Sequence, residues 1–276
     1  MSKALVLGGG GVTGIAWEIG MIAGLAEAGI DLTTADIVVG TSAGSAVGAQ
    51  ILSGATIEDL YAQQLADAKS ELAMKMGLGV YARFILAGLW PREETRARAR
   101  LGRSALRATS VPEAERRRVW ESRLKVRAWP ARRLLVVAVD AESGESRVFD
   151  GASGVSLVDA VAASCAVPLV WPPVTIDGHR YMDGGTRSIA NADLAAGCDR
   201  VVVLAPVTLA VRRTGRISVQ LAGLGASVRS IVVSPDRAAR MAIGRNVLDP
   251  AHRAAAARAG LDQAAAAAAS IRSVWL

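Results

Sequence analysis

The chain has few of the residues that usually mark metal, redox or base-stacking sites. Its 276 residues include two His and two Cys, and aromatic residues make up only 4%. Cys165 and Cys198 have no CxxC spacing and lie among apolar or small residues, which predicts buried, reduced thiols. Because the His and Cys residues are also scattered, we expect neither a metal site nor a bound cofactor.

Long hydrophobic runs are missing as well. No stretch approaches the 18 or so apolar residues of a membrane-spanning helix. At the N-terminus, Lys3 precedes an apolar run of four residues that ends in glycine, which is too short for the core of a signal peptide. The sequence therefore predicts a soluble, cytoplasmic protein.

Positive charge is concentrated in one segment. The formal net charge is +7, but the segment from Arg92 to Arg133 holds thirteen Arg and one Lys against five Glu, so the remainder is slightly acidic. Nucleic-acid binding would call for aromatic platforms or a recognisable module, and the sequence offers neither. We expect no nucleic-acid partner, and peripheral contact with an anionic membrane suits this charge better.

Strand and helix patterns alternate at the start of the chain. Residues 4–7 and 36–39 are short apolar runs that end in glycine, which is typical of buried parallel strands. Residues 15–28 and 43–53 have the composition and spacing of helices. This order predicts an α/β fold with an open, mostly parallel sheet.

The pattern resumes after an interruption. We interpret residues 77–133 as a helical, basic insertion, and a helix is expected from residue 57 to about residue 76. Further strands are predicted at 134–139, 146–149 and 200–205, a short helix at 157–164, and a hairpin at 174–176 and 180–182 around Asp177-Gly178. We expect a catalytic domain over residues 4–205 and a helical extension, packed on the same domain, over residues 206–276.

Gly40-Thr41-Ser42-Ala43-Gly44 matches the pattern G-x-S-x-G between a predicted strand and a predicted helix. In that context the pattern forms a sharp turn that exposes the serine hydroxyl, and glycines on both sides avoid clashes. The following helix directs its N-terminus at the site, which favours negative charge there. Ser42 is therefore a candidate nucleophile.

Two further glycine clusters carry candidate chemistry. The loop from Gly9 to Gly14 exposes backbone N–H groups that can hold a phosphate or an oxyanion. It also fits the dinucleotide-binding fingerprint, with Asp31 or Asp36 about twenty residues further on, so a dinucleotide-binding protein is one alternative. Asp183, followed by Gly184 and Gly185, ends a predicted strand and can approach another loop closely.

A serine nucleophile needs a base within hydrogen-bond reach. The two histidines, His179 and His252, have no motif around them, so an Asp acting directly on Ser42 is the simplest solution. An α/β-hydrolase triad of Ser42, Asp183 and His252 would follow the chain order of that fold and remains a second alternative.

The motifs together are similar to those of the patatin-like phospholipases. These are G-G-G-x-x-G at 9–14, G-T-S-A-G at 40–44 and D-G-G at 183–185, supported by A-S-C-A-V-P at 163–168 and the Pro172-Pro173 loop. The resemblance covers about residues 4–205 without the basic insertion. It implies a three-layer α/β/α sandwich and hydrolysis of lipid or other acyl esters.

The same resemblance assigns roles to residues. It implies Ser42 as the nucleophile and Asp183 as the base of a Ser–Asp dyad that works through an acyl-enzyme. The oxyanion hole would be formed by the backbone amides of Gly9, Gly10 and Gly11. Gly14, Gly40, Gly44, Gly184 and Gly185 complete the motifs. An inactive relative that only binds lipid is a third alternative.

One position departs from the family pattern. Members commonly have a basic residue just before the last glycine of the first motif, where this chain has Thr13. Arg187 or an arginine of the insertion is a candidate replacement. The apolar residues of the insertion, among them Phe84 and Trp90, together with its arginines, suggest a lid over a lipid site.

Overall fold

The computed structural model describes residues 1–66, 93–108, 111–124, 127–210 and 212–276. A single sheet of eight strands runs through this part of the chain in the order β5-β6-β3-β2-β1-β7-β8, with β4 also paired to β3. The strands are β1 (Lys3–Leu7), β2 (Ile37–Thr41), β3 (Arg133–Asp140), β4 (Ser146–Phe149), β5 (Val174–Ile176), β6 (His179–Asp183), β7 (Arg200–Leu204) and β8 (Arg229–Val233).

The sheet is mostly parallel, as predicted. Strands β3, β2, β1, β7 and β8 pair in parallel, whereas β4, β5 and β6 pair antiparallel. The described helices are α1 (Gly11–Glu27), α2 (Ala43–Ile51), α3 (Ile57–Leu65), α4 (Glu94–Leu106), α5 (Glu113–Arg123), α6 (Leu157–Ser164), α7 (Ile217–Ala222), α8 (Arg237–Ile243) and α9 (Arg253–Trp275).

Alternate residues of the central strands enter two separate cores. In β1, Leu5 and Leu7 join one apolar cluster, which α1, α2 and α9 complete, while Ala4 and Val6 join another on the opposite face. This alternation follows from the two-residue period of a strand. Because both faces are covered, strands such as β1 read as continuous apolar runs. The predicted three-layer α/β/α fold is confirmed.

The longest helix holds α1 in place. Helix α9 packs along α1 so closely that a methyl group added at Gly260 would lie 2.3 Å from the Trp17 carbonyl oxygen. The Trp17 indole N–H also donates to Gln263 Oε1 at 3.0 Å. This packing fixes the direction of α1, whose first residue is the last glycine of the Gly9–Gly11 run.

Three predictions need correction or fall outside the described residues. The segment after residue 205 is not purely helical, because β8 extends the sheet beside β7. Helix α3 ends at Leu65, where Ala66 turns to an extended conformation. Residues 67–92, which include the predicted lid residues Phe84 and Trp90, lie outside the described part of the chain.

No helix within the described part of the chain is long and apolar enough to span a bilayer.

Candidate active site

Ser42 lies in the sharp turn between β2 and α2. Its backbone has φ 51° and ψ −119°, a conformation that costs a non-glycine residue about 1–3 kcal/mol. Three hydrogen bonds to its backbone hold it there, and one of them runs from the Ser45 N–H to the Ser42 carbonyl oxygen at 2.9 Å. The Ser42 N–H donates to Ser164 Oγ at 2.9 Å, and the Ser45 hydroxyl donates to the Ser42 carbonyl oxygen at 2.7 Å. The strain is therefore maintained by neighbours on α2 and α6.

Close packing explains the glycines on both sides of this serine. A Cβ atom at Gly44 would lie 2.1 Å from the Leu7 carbonyl oxygen, and one at Gly40 would lie 2.5 Å from Ser45 Cα. The Gly44 N–H in turn donates to the Gly8 carbonyl oxygen at 3.0 Å. The turn is thus packed against the end of β1, and the predicted sharp turn between a strand and a helix is observed.

Asp183 reaches Ser42 through the register of β3. Strand β3 pairs Val137 with Thr41, the last residue of β2, and pairs the next residue, Ala138, with Asp183 at the end of β6. Both strands therefore end at the same point along β3. The Ser42 hydroxyl donates to Asp183 Oδ2 at 2.7 Å, although 141 residues separate them in sequence.

The two glycines after Asp183 allow its carboxylate to lie close to Ser42. At Gly184 a Cβ atom would lie 2.2 Å from the Val137 carbonyl oxygen, so only glycine lets the backbone pack directly against β3 here. The Gly185 N–H donates to Asp183 Oδ1 at 2.7 Å. Each carboxylate oxygen of Asp183 therefore has one hydrogen-bond donor.

Burial sets the protonation of this carboxyl group. Asp183 is 5% exposed, and burial raises its pKa to about 7, against the lowering effect of the donors from Ser42 and Gly185. Near neutral pH the group is therefore poised to exchange a proton. The neighbouring Cys165 thiol is also buried, which raises its pKa to about 12 and keeps it protonated.

The glycine loop lies beside the serine, and its amides differ. The Gly9 N–H donates to the Ile189 carbonyl oxygen at 2.8 Å. Gly10 and Gly11 have no acceptor for their N–H groups among the described residues, and Gly14 N–H closes the first turn of α1 on the Gly10 carbonyl oxygen. The prediction that Gly9 supplies an oxyanion donor needs correction, because its amide is already engaged.

Thr13 anchors the loop where the family pattern has a basic residue. It is fully buried, and both its N–H and its hydroxyl donate to the Val247 carbonyl oxygen, at 3.1 and 3.3 Å. Arg187, a candidate replacement, instead pairs with Asp193 and donates to Asn191 Oδ1. Thr13 carries no charge, and the guanidinium group of Arg187 is already paired, so neither residue can replace the basic residue of the family pattern.

Ser42 and Asp183 open onto a cavity of about 300 Å³. Its walls are largely apolar, with contributions from the glycine loop, α4 and the segment after β7. The apolar lining includes Ala97, Leu101, Val167, Pro168, Ile189, Val207, Leu209, Ala210, Val247 and Leu248. The shape and lining suit an acyl chain with its reacting carbon near the serine.

Two polar residues that support the site were not assigned a role from sequence. Ser164 accepts the Ser42 N–H, and it lies in the A-S-C-A-V-P string, which therefore contained a usable signal. Asn191 has φ 53° and is fully buried; its side-chain amide donates to Thr41 Oγ1 and to the Ser188 carbonyl oxygen, both at 2.9 Å. It thereby ties the end of β2 to the loop after Asp183, and no sequence motif marks it.

The structure favours neither the α/β-hydrolase triad with His252 nor the dinucleotide-binding protein. His252 Nδ1 contacts the Ala242 carbonyl oxygen, and His179 contacts Asp140, so neither histidine joins Ser42 and Asp183. Asp36 accepts the Lys3 N–H at the start of β1, the opposite strand end from the glycine loop. A carboxylate at that end cannot reach the ribose of a dinucleotide bound at the loop.

Comparisons with known proteins identify the family of the chain. The sequence profile of the family described as patatin-like phospholipase matches residues 5–196. No curated protein sequence matches the chain. Among solved structures, VipD from Legionella pneumophila is similar with a TM-score of 0.51 and 17% identity, over 98% of this chain and 67% of VipD. The type III effector protein ExoU aligns with a TM-score of 0.40 and 16% identity, over 100% of this chain and 53% of ExoU. Because the family profile covers more than half of its length, the chain belongs to the patatin-like phospholipase family.

Proposed function

We propose that the chain is a serine hydrolase that cleaves lipid acyl esters through a Ser42–Asp183 dyad and an acyl-enzyme intermediate. The hydrogen bond of 2.7 Å between the Ser42 hydroxyl and Asp183 Oδ2 carries this proposal. A base within this distance can accept the proton as the hydroxyl oxygen attacks a carbonyl carbon. Family membership supports a lipid-hydrolysing activity.

In the first half of the reaction, Asp183 accepts the proton from Ser42 while the serine oxygen bonds to the ester carbonyl carbon. The negative charge that develops on the carbonyl oxygen is stabilised by the free amides of Gly10 and Gly11 at the N-terminus of α1. Collapse of the tetrahedral intermediate breaks the ester C–O bond, and Asp183 returns the proton to the leaving alcohol.

In the second half, Asp183 accepts a proton from a water molecule that attacks the acyl-enzyme. The same amides stabilise the second oxyanion, and the proton returns to Ser42 as the fatty acid leaves. The acyl chain occupies the apolar cavity of about 300 Å³ throughout. A carboxyl pKa of about 7 leaves Asp183 able both to accept and to release a proton near neutral pH.

The direct test combines labelling with turnover. Ser42→Ala should abolish reaction with a fluorophosphonate probe and lower hydrolysis of a nitrophenyl ester by roughly 10⁴-fold or more. Ser53→Ala is the matched control and should keep both activities. Ser53 follows α2, and its hydroxyl donates to the Gln50 carbonyl oxygen and not to the site. A Ser42→Ala protein with wild-type turnover would refute the proposal. A wild-type protein that binds lipid without hydrolysis would point to the inactive-relative alternative.

We further propose that helix α4 contacts anionic membranes. Arg96, Arg100 and Arg103 share one face of α4, because they follow one another at spacings of four and three residues, and Arg107 continues this row directly after the helix. All four are exposed. Ala97 and Leu101 of the same helix line the cavity beside Ser42. A membrane at the arginine face would therefore lie next to the entrance for its lipids.

Vesicle binding tests this surface. Changing Arg100, Arg103 and Arg107 to Gln should weaken binding to vesicles that contain phosphatidylglycerol by on the order of 10- to 100-fold at low salt. A control protein with Arg237, Arg245 and Arg258 changed to Gln loses the same charge from other exposed positions. Equal losses in the two proteins, or equal binding to neutral phosphatidylcholine vesicles, would contradict the proposal.

A further inference from the structure

A second, smaller cavity lies beside Ser42. It has a volume of about 40 Å³, room for a few water-sized groups or one tetrahedral anion but not for an acyl chain. Its lining consists of Gly11, Val12, Ile15, Ser42, Ala43, Arg116, Trp120, Arg123, Cys165, Val167, Trp171 and Leu248. Two arginines and no carboxylate are among these residues.

Arg116 is the unusual member of this lining. It lies on α5, is 8% exposed, and its guanidinium carbon is 3.8 Å from the centre of the Trp171 ring and 5.1 Å from that of Trp120. Its Nε is buried without a hydrogen-bond partner, and the guanidinium forms no ion pair with any described residue. Burial lowers its pKa to about 10, so it remains charged at neutral pH.

An unpaired charge at such a position is energetically unfavourable. A buried guanidinium without a counter-ion loses much of its hydration, and stacking on an aromatic ring compensates only in part. The adjacent Glu121 and Asp159 pair with the neighbouring Arg117 instead. Arg116 therefore has no counter-ion among the described residues, and an anionic ligand would compensate its charge.

The helix ends at this cavity favour the same kind of ligand. Gly11 and Val12 begin α1, and Ala43 begins α2, so the N-termini of a 17-residue and a nine-residue helix meet here. The N–H groups at a helix N-terminus attract negative charge. Arg116 adds a planar donor group that suits two oxygens of one phosphoryl group.

We propose that Arg116 binds a phosphoryl group beside Ser42 and thereby selects esters that carry one. This inference rests on the proposed function, and it adds a specificity-determining residue from the basic insertion. Ser42 lines both cavities, so the acyl chain and the phosphate each have a place next to the same hydroxyl. Arg116 thus supplies the cation that the first glycine motif lacks at Thr13.

A pair of soluble substrates tests the selection. We would compare dihexanoyl phosphatidylglycerol with dihexanoyl glycerol, both below the concentration at which they aggregate, so that membrane contact plays no part. Arg116→Met should lower kcat/KM for the phospholipid roughly 10- to 100-fold and leave the neutral ester within about twofold. Arg116→Lys should fall between, and Arg118→Met, at an exposed position on the same helix, should match the wild type.

Binding without turnover separates this inference from the proposed function. In a Ser42→Ala background, inorganic phosphate or the phospholipid should change tryptophan fluorescence, because Trp171 and Trp120 contact Arg116. Adding Arg116→Met should remove that change. A response to the phospholipid alone identifies the lipid head group as the source, and an equal response to both identifies a general phosphate site.

Two results would overturn the assignment of Arg116. One is an equal loss of turnover on the phospholipid and the neutral ester, which would make Arg116 a structural residue. The other is a fluorescence response that persists in the Arg116→Met protein. Hydrolysis that survives Ser42→Ala would instead defeat the proposed dyad, while the fluorescence measurement would still decide the phosphate site.

Discussion

Two buried carboxyl groups in this protein differ sharply in their surroundings. Asp183 lies at the end of β6 on the wall of the large cavity, and each of its oxygens accepts a hydrogen bond. Glu18 lies inside α1 with no exposed surface, and neither of its oxygens forms a well-aligned hydrogen bond with a described residue; only the Gly8 N–H, which donates to the Leu204 carbonyl oxygen, lies near enough to lower its pKa in part. Burial raises the pKa of both, well above the usual range for Glu18.

A raised pKa is therefore shared by the proposed base and by a carboxyl group that has no part in the proposed mechanism. Desolvation dominates at both positions. The difference is that Asp183 has a hydroxyl group in contact and access to a cavity, whereas Glu18 has neither. In the proposed mechanism a proton that Asp183 releases is used in the reaction, whereas Glu18 has no contact with Ser42 in the structure.

The largest expected difference is in turnover. Asp183→Asn keeps the size of the side chain but removes the base, so kcat for a nitrophenyl ester should fall roughly 10³- to 10⁴-fold. Glu18→Gln makes the same chemical change at the other carboxyl group and should keep turnover within about twofold. Steady-state kinetics on both variants would measure this contrast. A comparable loss of kcat in the two variants would contradict the different roles proposed for the two carboxyl groups.

Local signals explain why the fold and the position of Ser42 were accessible from sequence. The apolar run before Gly40 and the small residues after Ser42 specify the β2–α2 turn within one short segment. The Asp177-Gly178 turn likewise specifies the β5–β6 hairpin, which the structure confirms. Each of these features depends on neighbours within a few residues.

Features that depend on register or tertiary contact were not accessible in the same way. The meeting of Ser42 and Asp183 depends on how β2 and β6 align along β3, and no local pattern in the sequence encodes that alignment. The engaged amide of Gly9 depends on the Ile189 carbonyl, 180 positions away. In β8, Arg229 and Ser230 interrupt the apolar pattern of a buried strand, and the strand is largely exposed at the sheet edge.

The next expected effect is on the pH dependence of turnover. In the proposed mechanism Asp183 acts as a base only when it is ionised, and burial raises its pKa to about 7. For a soluble neutral ester, kcat/KM should therefore rise about tenfold per pH unit below 7 and level off above it. A rate measured at pH 5 should be roughly 100-fold below the plateau. A profile that is flat down to pH 5 would show that the base titrates near its ordinary value.

The smallest effect concerns stability at Glu18. Because its folded-state pKa is raised, the folded protein retains a proton that the unfolded chain has lost, so wild-type stability falls as pH increases above about 4.3 towards the folded-state pKa. Glutamine cannot ionise and removes this term. We would measure urea unfolding at pH 5 and pH 8. The free energy of unfolding of Glu18→Gln relative to wild type should be higher at pH 8, by about 1.4 kcal/mol for each pH unit in this interval that lies below the folded-state pKa of Glu18.

Relative values are the sensitive measure, because the buried glutamine amide brings an offset of its own that is the same at both pH values. The contribution of Asp183 is also common to both proteins and cancels. If the free energy of unfolding of the variant relative to wild type decreased as pH rises, Glu18 would be ionised and stabilised in the folded state. The two carboxyl groups would then differ in charge as well as in access to Ser42.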